Sequence, residues 1–82
     1  MVIAPNPFTT NATLSYSLYQ RSDVVIEVFN LVGQKVATLA NEKQPAGEHQ
    51  LQLGDAINQT KGVYFVRLSI DGEVLTKKVL VQ

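Results

Sequence analysis

The only histidine of the chain, His49, is the side chain best suited to acid–base chemistry near neutral pH. A catalytic triad built on it would need a serine and a carboxylate, and Ser69 and Asp55 are the pairing that can be imagined. No Gly-x-Ser-x-Gly motif surrounds a serine, so nothing in the sequence supports this triad. His49 lies between Glu48 and Gln50, and we interpret it as an exposed residue of a β-strand.

The other groups that carry chemistry in proteins are scattered or absent. The sequence has no Asp-x-Asp loop for calcium and no paired acids for glycoside hydrolysis. It also has no glycine-rich phosphate motif and no cysteine, which excludes disulfides and thiolate metal sites. We therefore expect no cofactor, no metal and no enzymatic activity. The carboxylates occur one by one, at Asp23, Glu27, Glu42, Glu48, Asp55, Asp71 and Glu73.

Length and charge narrow the class of protein further. A chain of 82 residues makes one domain with a thin core. Its 7 basic residues balance its 7 acidic ones, which makes nucleic acid a poor partner. No apolar stretch approaches the roughly 18–20 residues of a membrane span. Met1–Ala4 runs directly into Pro5–Pro7, so we expect any export signal to lie elsewhere on a longer protein.

Apolar and polar residues alternate along most of the chain, as they do in half-buried β-strands. Short strands at about 8–12-residue spacing predict an all-β, antiparallel Greek-key sandwich or barrel. One helical turn is predicted at 55–58. The seven predicted strands are 2–4, 12–18, 22–31, 34–40, one around Leu51 and Leu53, 64–70 and 73–81.

Three local motifs indicate how these strands connect. Asp71-Gly72 between two alternating runs predicts a type I′ hairpin, which needs positive φ at both residues. Gly33 predicts a turn that ends in a left-handed glycine bulge. Gly62 and Tyr64, at the start of a strand after a long connection, are typical of a tyrosine corner, in which the phenol bonds to the loop backbone.

The alternation also predicts which side chains form the core between the two sheets. Phe29 and Phe65 fall on the less buried alternation, where they could stack on sugars or pack under loops. The predicted core residues are Leu14, Tyr16, Ile26, Val28, Leu51, Tyr64, Val66 and Leu68.

The last predicted strand is unusual because neither of its faces is cleanly polar. Its apolar residues are interrupted by Lys77 and Lys78. The two lysines could guard a sheet edge against aggregation, and the excess apolar surface could equally bind a partner. Both interpretations stay open on these residues alone.

An ordered set of motifs covers nearly the whole chain and resembles one known family. Each motif is weak by itself, but six in this order and spacing are specific. The chain resembles the type A C-terminal sorting domain of the type IX (Por) secretion system. The motifs are Pro5-Asn6-Pro7-Phe8, Leu14-Ser15-Tyr16-Ser17-Leu18, Val28 to Val36, Ala46-Gly47, Gly62 to Leu68, and Lys77-Lys78-Val79-Leu80-Val81.

This resemblance implies a seven-stranded immunoglobulin-like β-sandwich spanning 1–82, at the C-terminus of a larger secreted protein. It implies that the cargo, attached N-terminally in cis, crosses the periplasm and outer membrane of a Gram-negative bacterium to the cell surface or medium. The outer-membrane translocon would recognise the domain, and a sortase-like peptidase would remove it. Family members often have leucine where this chain has Gln59, and Ile57 is expected to replace its packing. The residues implied in recognition are Pro5, Asn6, Pro7, Lys77, Lys78, Val79, Leu80 and Val81, and the structural motif residues are Gly33, Gly62, Tyr64 and Gly72.

Two other functions remain compatible with a small β-sandwich, because this architecture hosts many activities. A carbohydrate-binding or adhesive module would bind glycans through exposed aromatic residues. A structural immunoglobulin-like module would self-associate or form filament contacts.

Overall fold

The computed structural model describes residues 1–57 and 60–82, and the all-β prediction is confirmed there. Seven strands and one short helical turn succeed one another along the chain. They are β1 (Val2–Ala4), β2 (Thr13–Leu18), β3 (Ser22–Asn30), β4 (Lys35–Gln44), β5 (Gly47–Gln52), α1 (Gly54–Ile57), β6 (Gly62–Ile70) and β7 (Glu73–Val81).

The strands form two antiparallel sheets that face each other as a sandwich. A three-stranded sheet has the order β1-β2-β5, and a four-stranded sheet has the order β4-β3-β6-β7. The chain changes sheet after β2, after β4 and after β5, which produces Greek-key connections. This order corresponds to an immunoglobulin-like arrangement in which the fourth strand joins the sheet of the last two strands.

The core lies between the inner faces of the sheets and follows the predicted alternation. Every predicted core residue is buried except Leu51, which is half-buried and packs against the core. Leu51 is exposed in part because β5 is an edge strand of the smaller sheet. Ile57, which was expected to pack in place of the family's leucine, is buried in the core. The core also contains buried residues that were not predicted: Ile3, Phe8, Ala12, Leu18, Val24, Ala40, Leu53, Val79 and Val81.

Several elements differ from their predicted bounds. β2 and β3 are each one residue shorter than predicted, and β6 begins at Gly62 instead of Tyr64. Leu53 was predicted to lie in the fifth strand, but β5 ends at Gln52.

β4 was predicted to end at Ala40, and this was wrong, since it continues to Gln44. Its polar last residues pair with the start of β3, from Val25↔Asn41 to Ser22↔Gln44, so backbone bonding sustains the strand without apolar alternation. The helical turn covers Gly54–Ile57, while the predicted end at 58 and the family position at 59 lie outside the described residues.

Both predicted glycine turns are confirmed. The β6–β7 hairpin joins Ile70 to Glu73 through a two-residue loop, with φ of 49° at Asp71 and 89° at Gly72. Gly33 has φ of 89° and donates its N–H to the Asn30 carbonyl at 3.0 Å. Both positions therefore require the left-handed backbone that glycine adopts at low cost.

Candidate recognition site on the last strand

β7 lies at one edge of the four-stranded sheet, where β6 is its neighbour among the described strands. Its register runs without interruption from Ile70↔Glu73 to Gly62↔Val81. Only Val79 and Val81 are buried, and its other residues are exposed. Both faces of β7 are therefore exposed in its first half, and only the face that carries Val79 and Val81 is buried near its end.

The side chain of Asn6 occupies the outer backbone edge of β7 near its end. The Asn6 Nδ2 donates to the carbonyl of Lys78 at 2.9 Å, and the N–H of Leu80 donates to the Asn6 Oδ1 at 3.1 Å. One side-chain amide thus bonds a donor and an acceptor that a neighbouring strand would otherwise satisfy. The flanking residues are Pro5 and Pro7, each preceded by a cis peptide bond.

Phe8 continues the contact made by Asn6. Its N–H donates to the carbonyl of Leu80 at 3.0 Å, and its carbonyl accepts from the N–H of Gln82 at 2.9 Å. This forms a parallel bridge to Val81, while the Phe8 side chain is buried in the core. We call Asn6 and Phe8 together the clasp, and Lys78–Gln82 the clasped end of β7.

The clasp brings together two predicted recognition segments that are far apart in the sequence. Asn6 and Lys78 are 72 positions apart and share a direct hydrogen bond. Both segments were predicted from the sequence, but their contact was not, and Phe8 had no predicted role. The only sequence signal for Phe8 was its place in the proline motif, because it lies outside any alternating run.

The two lysines project from opposite faces of β7, because neighbouring side chains in a strand alternate. Lys78 is on the outer face, opposite Phe65, and Lys77 is opposite Val66. Both are exposed, and neither takes part in an ion pair with another described residue. Their charges are therefore available to a partner.

None of the described strands lies beside the first half of β7 on its outer edge. The backbone groups of Lys78 and Leu80 that meet the clasp point away from β6, so alternation points those of Val74 and Thr76 the same way. We call the Glu73–Lys77 segment the open edge. A shallow groove borders it, lined by Ser17, Leu18, Tyr19, Gln20, Ser22, Ile70, Glu73 and Leu75.

The predicted tyrosine corner is present. The Tyr64 hydroxyl donates to the carbonyl of Thr60 at 3.0 Å, and the ring is buried. Tyr64 lies opposite Val79 in the sheet, so the tyrosine corner fixes the part of β6 that pairs with the clasped end of β7. Gly62, which has φ of 141°, begins this strand.

Of the residues considered for catalysis, His49 and Ser69 are not brought together, and the side chain of Asp55 lies outside the described part of the structure. His49 is half-buried rather than exposed, because its ring stacks on Tyr16 at a centroid distance of 5.3 Å. Its Nε2 lies 2.8 Å from the Pro45 carbonyl oxygen. His49 belongs to β5 and Ser69 to β6, which are in different sheets. Within residues 1–57 and 60–82, no group of three or more His, Cys, Asp or Glu could hold a metal.

The outer face of the four-stranded sheet carries an aromatic pair and a charged group. Phe29 lies opposite Phe65, and the Arg67 guanidinium covers the Phe29 ring at 4.6 Å from its centroid. Arg67 Nη2 also donates to Glu27 Oε1 at 2.7 Å, and Lys35 lies 3.3 Å from the other carboxylate oxygen. These bonds, chiefly the one from Arg67, lower the pKa of Glu27. One face of Phe29 is therefore already occupied.

Comparison with known proteins identifies the family. In the described part of the chain, no helix is long and apolar enough to cross a membrane. The search of curated proteins found no match. A family model described as the secretion system C-terminal sorting domain matches residues 2–82. The chain belongs to this family, the C-terminal sorting domains of type IX secretion, which direct export through the Por system to the cell surface or medium.

Proposed function

We propose that the outer-membrane translocon of the type IX system recognises the clasped end of β7 together with Pro5–Pro7. The two hydrogen bonds between the Asn6 side chain and the backbone of Lys78 and Leu80 carry this proposal. They hold the two recurring family segments side by side, so a receptor can contact both as one surface. Addresses of this type are recognised by receptors and do not act as anchors.

The residues of this surface divide into contacts and supports. Lys78 and Leu80 share the outer face, and Leu80 keeps 38% of its surface exposed. An exposed cation beside an exposed apolar side chain offers a partner both charge and burial. Lys77 adds a second cation on the other face. Val79 and Val81 are almost completely buried and hold the strand in place.

The same proposal assigns the domain no catalytic role and no cofactor. It would be the single C-terminal domain of a larger protein, with the cargo attached N-terminally. The cargo would reach the periplasm of a Gram-negative bacterium by its own signal, and a sortase-like peptidase would remove the domain after export. A small β-sandwich that folds as one unit suits a transient sorting role.

The proposal is tested by export of a reporter. The domain is fused to a periplasm-directed reporter in a host with an active type IX system. We expect export from the parent domain and a strong loss in the Lys77→Ser, Lys78→Ser double variant. Arg21→Ser is the control, because Arg21 is an exposed cation between β2 and β3, away from the clasped end, and it forms no ion pair with a described residue.

A second pair of variants separates the two halves of β7. Leu80→Ser and Val74→Ser each remove an exposed apolar side chain from the outer face. We expect only Leu80→Ser to reduce export. Thermal melting of each purified variant establishes that it is folded. A reporter that stays in the periplasm with the folded parent domain would refute the sorting role, and undiminished export of the lysine variant would refute our choice of contacts.

A further inference from the structure

The open edge of β7 has a self-complementary pattern of charge. Glu73 and Lys77 stand at its two ends, and Leu75 stands at its centre. All three are exposed, and neither charged group forms an ion pair with a described residue. We propose that this edge pairs with the same edge of a second copy, antiparallel and centred on Leu75. The proposal is independent of the sorting role.

The backbone has the donors and acceptors that this pairing needs. Val74 and Thr76 direct their N–H and C=O groups away from β6. In a register centred on Leu75, Val74 lies opposite Thr76 of the second copy, and each such pair exchanges both backbone hydrogen bonds. The pairing therefore continues the four-stranded sheet across a two-fold axis.

Charge complementarity selects this register among those that the hydrogen bonds allow. Centring the axis on Leu75 places Glu73 opposite Lys77 of the second copy on both sides of the axis. Centring it on Val74 or on Thr76 also matches outward-facing backbone groups, but then a charged end faces Leu75. Opposite charges directly across a strand pair stabilise it, and like charges destabilise it.

Apolar contact supports the same register. Leu75 keeps 51% of its surface exposed and borders the groove with Leu18 and Ile70. In the proposed dimer the two Leu75 residues form a non-hydrogen-bonded pair, the arrangement in which opposing side chains come closest. Each leucine would then cover apolar surface that the monomer leaves in water.

The ends of the open edge limit the assembly to a dimer. From the carbonyl of Lys78 onward the edge is occupied by the clasp, and before Glu73 the chain turns at Asp71-Gly72. The opposite edge strand, β4, has two register shifts against β3 in its first half, and its regular part, Ala40–Gln44, does not carry the Glu–Leu–Lys pattern of the open edge. An interface that uses one edge twice closes on itself and cannot extend into a fibre.

The test is self-association of the purified chain, measured by analytical ultracentrifugation from about 1 µM to about 1 mM, since so small an interface binds weakly. We expect a concentration-dependent monomer–dimer equilibrium. Glu73→Lys or Lys77→Glu alone should lower the association constant by about tenfold or more, because each places like charges opposite each other on both sides of the axis.

Mixing the two single variants supplies the decisive measurement. In the mixed dimer every opposing pair is again of opposite charge, so the mixture should associate about as strongly as the native chain. This recovery also establishes that both variants are folded. Glu42→Lys is the matched control, an exposed acid on the edge strand β4, and should leave the association constant unchanged.

Three results would overturn the proposal. They are a native chain that stays monomeric over the whole range, a dimer that neither single variant weakens, and a mixture that associates no better than the single variants.

Discussion

The two halves of β7 belong to one strand with one continuous register, yet they differ in every other respect. The clasped end, Lys78–Gln82, has the clasp along its outer edge and places Val79 and Val81 in the core. The open edge, Glu73–Lys77, has no neighbour on that side and no buried residue. One end of the strand therefore has its backbone bonded along both edges, while the other keeps one backbone edge open.

The difference shows how little chain is needed to close a sheet edge. An unpaired edge invites other strands, and proteins cover or interrupt such edges. Here one asparagine side chain and the backbone of Phe8 cover the clasped end. The edge strand β4 is interrupted differently, by two register shifts against β3 in its first half. The open edge of β7 has neither kind of protection.

The largest expected effect comes from removing a buried side chain at the clasped end. Val79→Ala should lower the free energy of unfolding by about 1–3 kcal/mol, through lost apolar burial and the cavity left behind. Leu75→Ala is the matched change in the open edge and should cost no more than about 0.5 kcal/mol, as exposed positions usually do. Urea denaturation measures both, and equal losses would contradict the division of the strand.

The clasp itself is tested by Asn6→Ala. Losing both side-chain hydrogen bonds should cost about 1–2 kcal/mol of unfolding free energy. Hydrogen exchange at the amide of Leu80 should become faster, while exchange at Thr76 should stay as it was. Asn41→Ala, an exposed asparagine on β4, is the control. Unchanged exchange at Leu80 would show that Asn6 does not protect this edge.

The hairpin before the open edge is tested by substitutions at Gly72, which should change the stability of the fold through backbone strain. Gly72→Ala should cost on the order of 1 kcal/mol, because alanine is strained at positive φ. No atom lies within 4 Å of an added Cβ, so steric contact contributes nothing. Gly72→Asn should cost less, since asparagine tolerates this conformation better. Thermal unfolding that ranked asparagine below alanine would argue against a backbone cause.

The smallest effect concerns the outer face beside the open edge, where a cross-strand row from Glu27 through Arg67 ends at Thr76. The pKa of Glu27 is lowered from its ordinary 4.5, chiefly by the bond from Arg67. Its stabilisation is therefore present above pH 4.5 and is lost as pH falls through the lowered pKa of the folded state.

Glu27→Gln should flatten this acid dependence in urea denaturation series at several pH values. Glu42→Gln, a carboxyl without an ion pair among the described residues, should leave the dependence in place. An unaltered acid dependence in Glu27→Gln would show that another carboxyl is responsible.

Most of the fold could be predicted from local patterns in the sequence. The alternation of apolar and polar residues predicted which side chains of β2, β3 and β6 face the core, because side-chain direction in a strand repeats every two residues. The Asp71-Gly72 turn could be predicted because a two-residue hairpin depends on the φ of its own residues. The family motifs named both recognition segments, including Asn6 and Lys78.

What only the tertiary structure decided are contacts between distant parts of the chain. The bond from Asn6 to Lys78, the burial of Phe8 and the extension of β4 to Gln44 all depend on which strands become neighbours and in what register. Alternation gives each strand two faces but does not say which edge stays unpaired. The division of β7 into a clasped end and an open edge is settled only when residues from opposite ends of the sequence pack together.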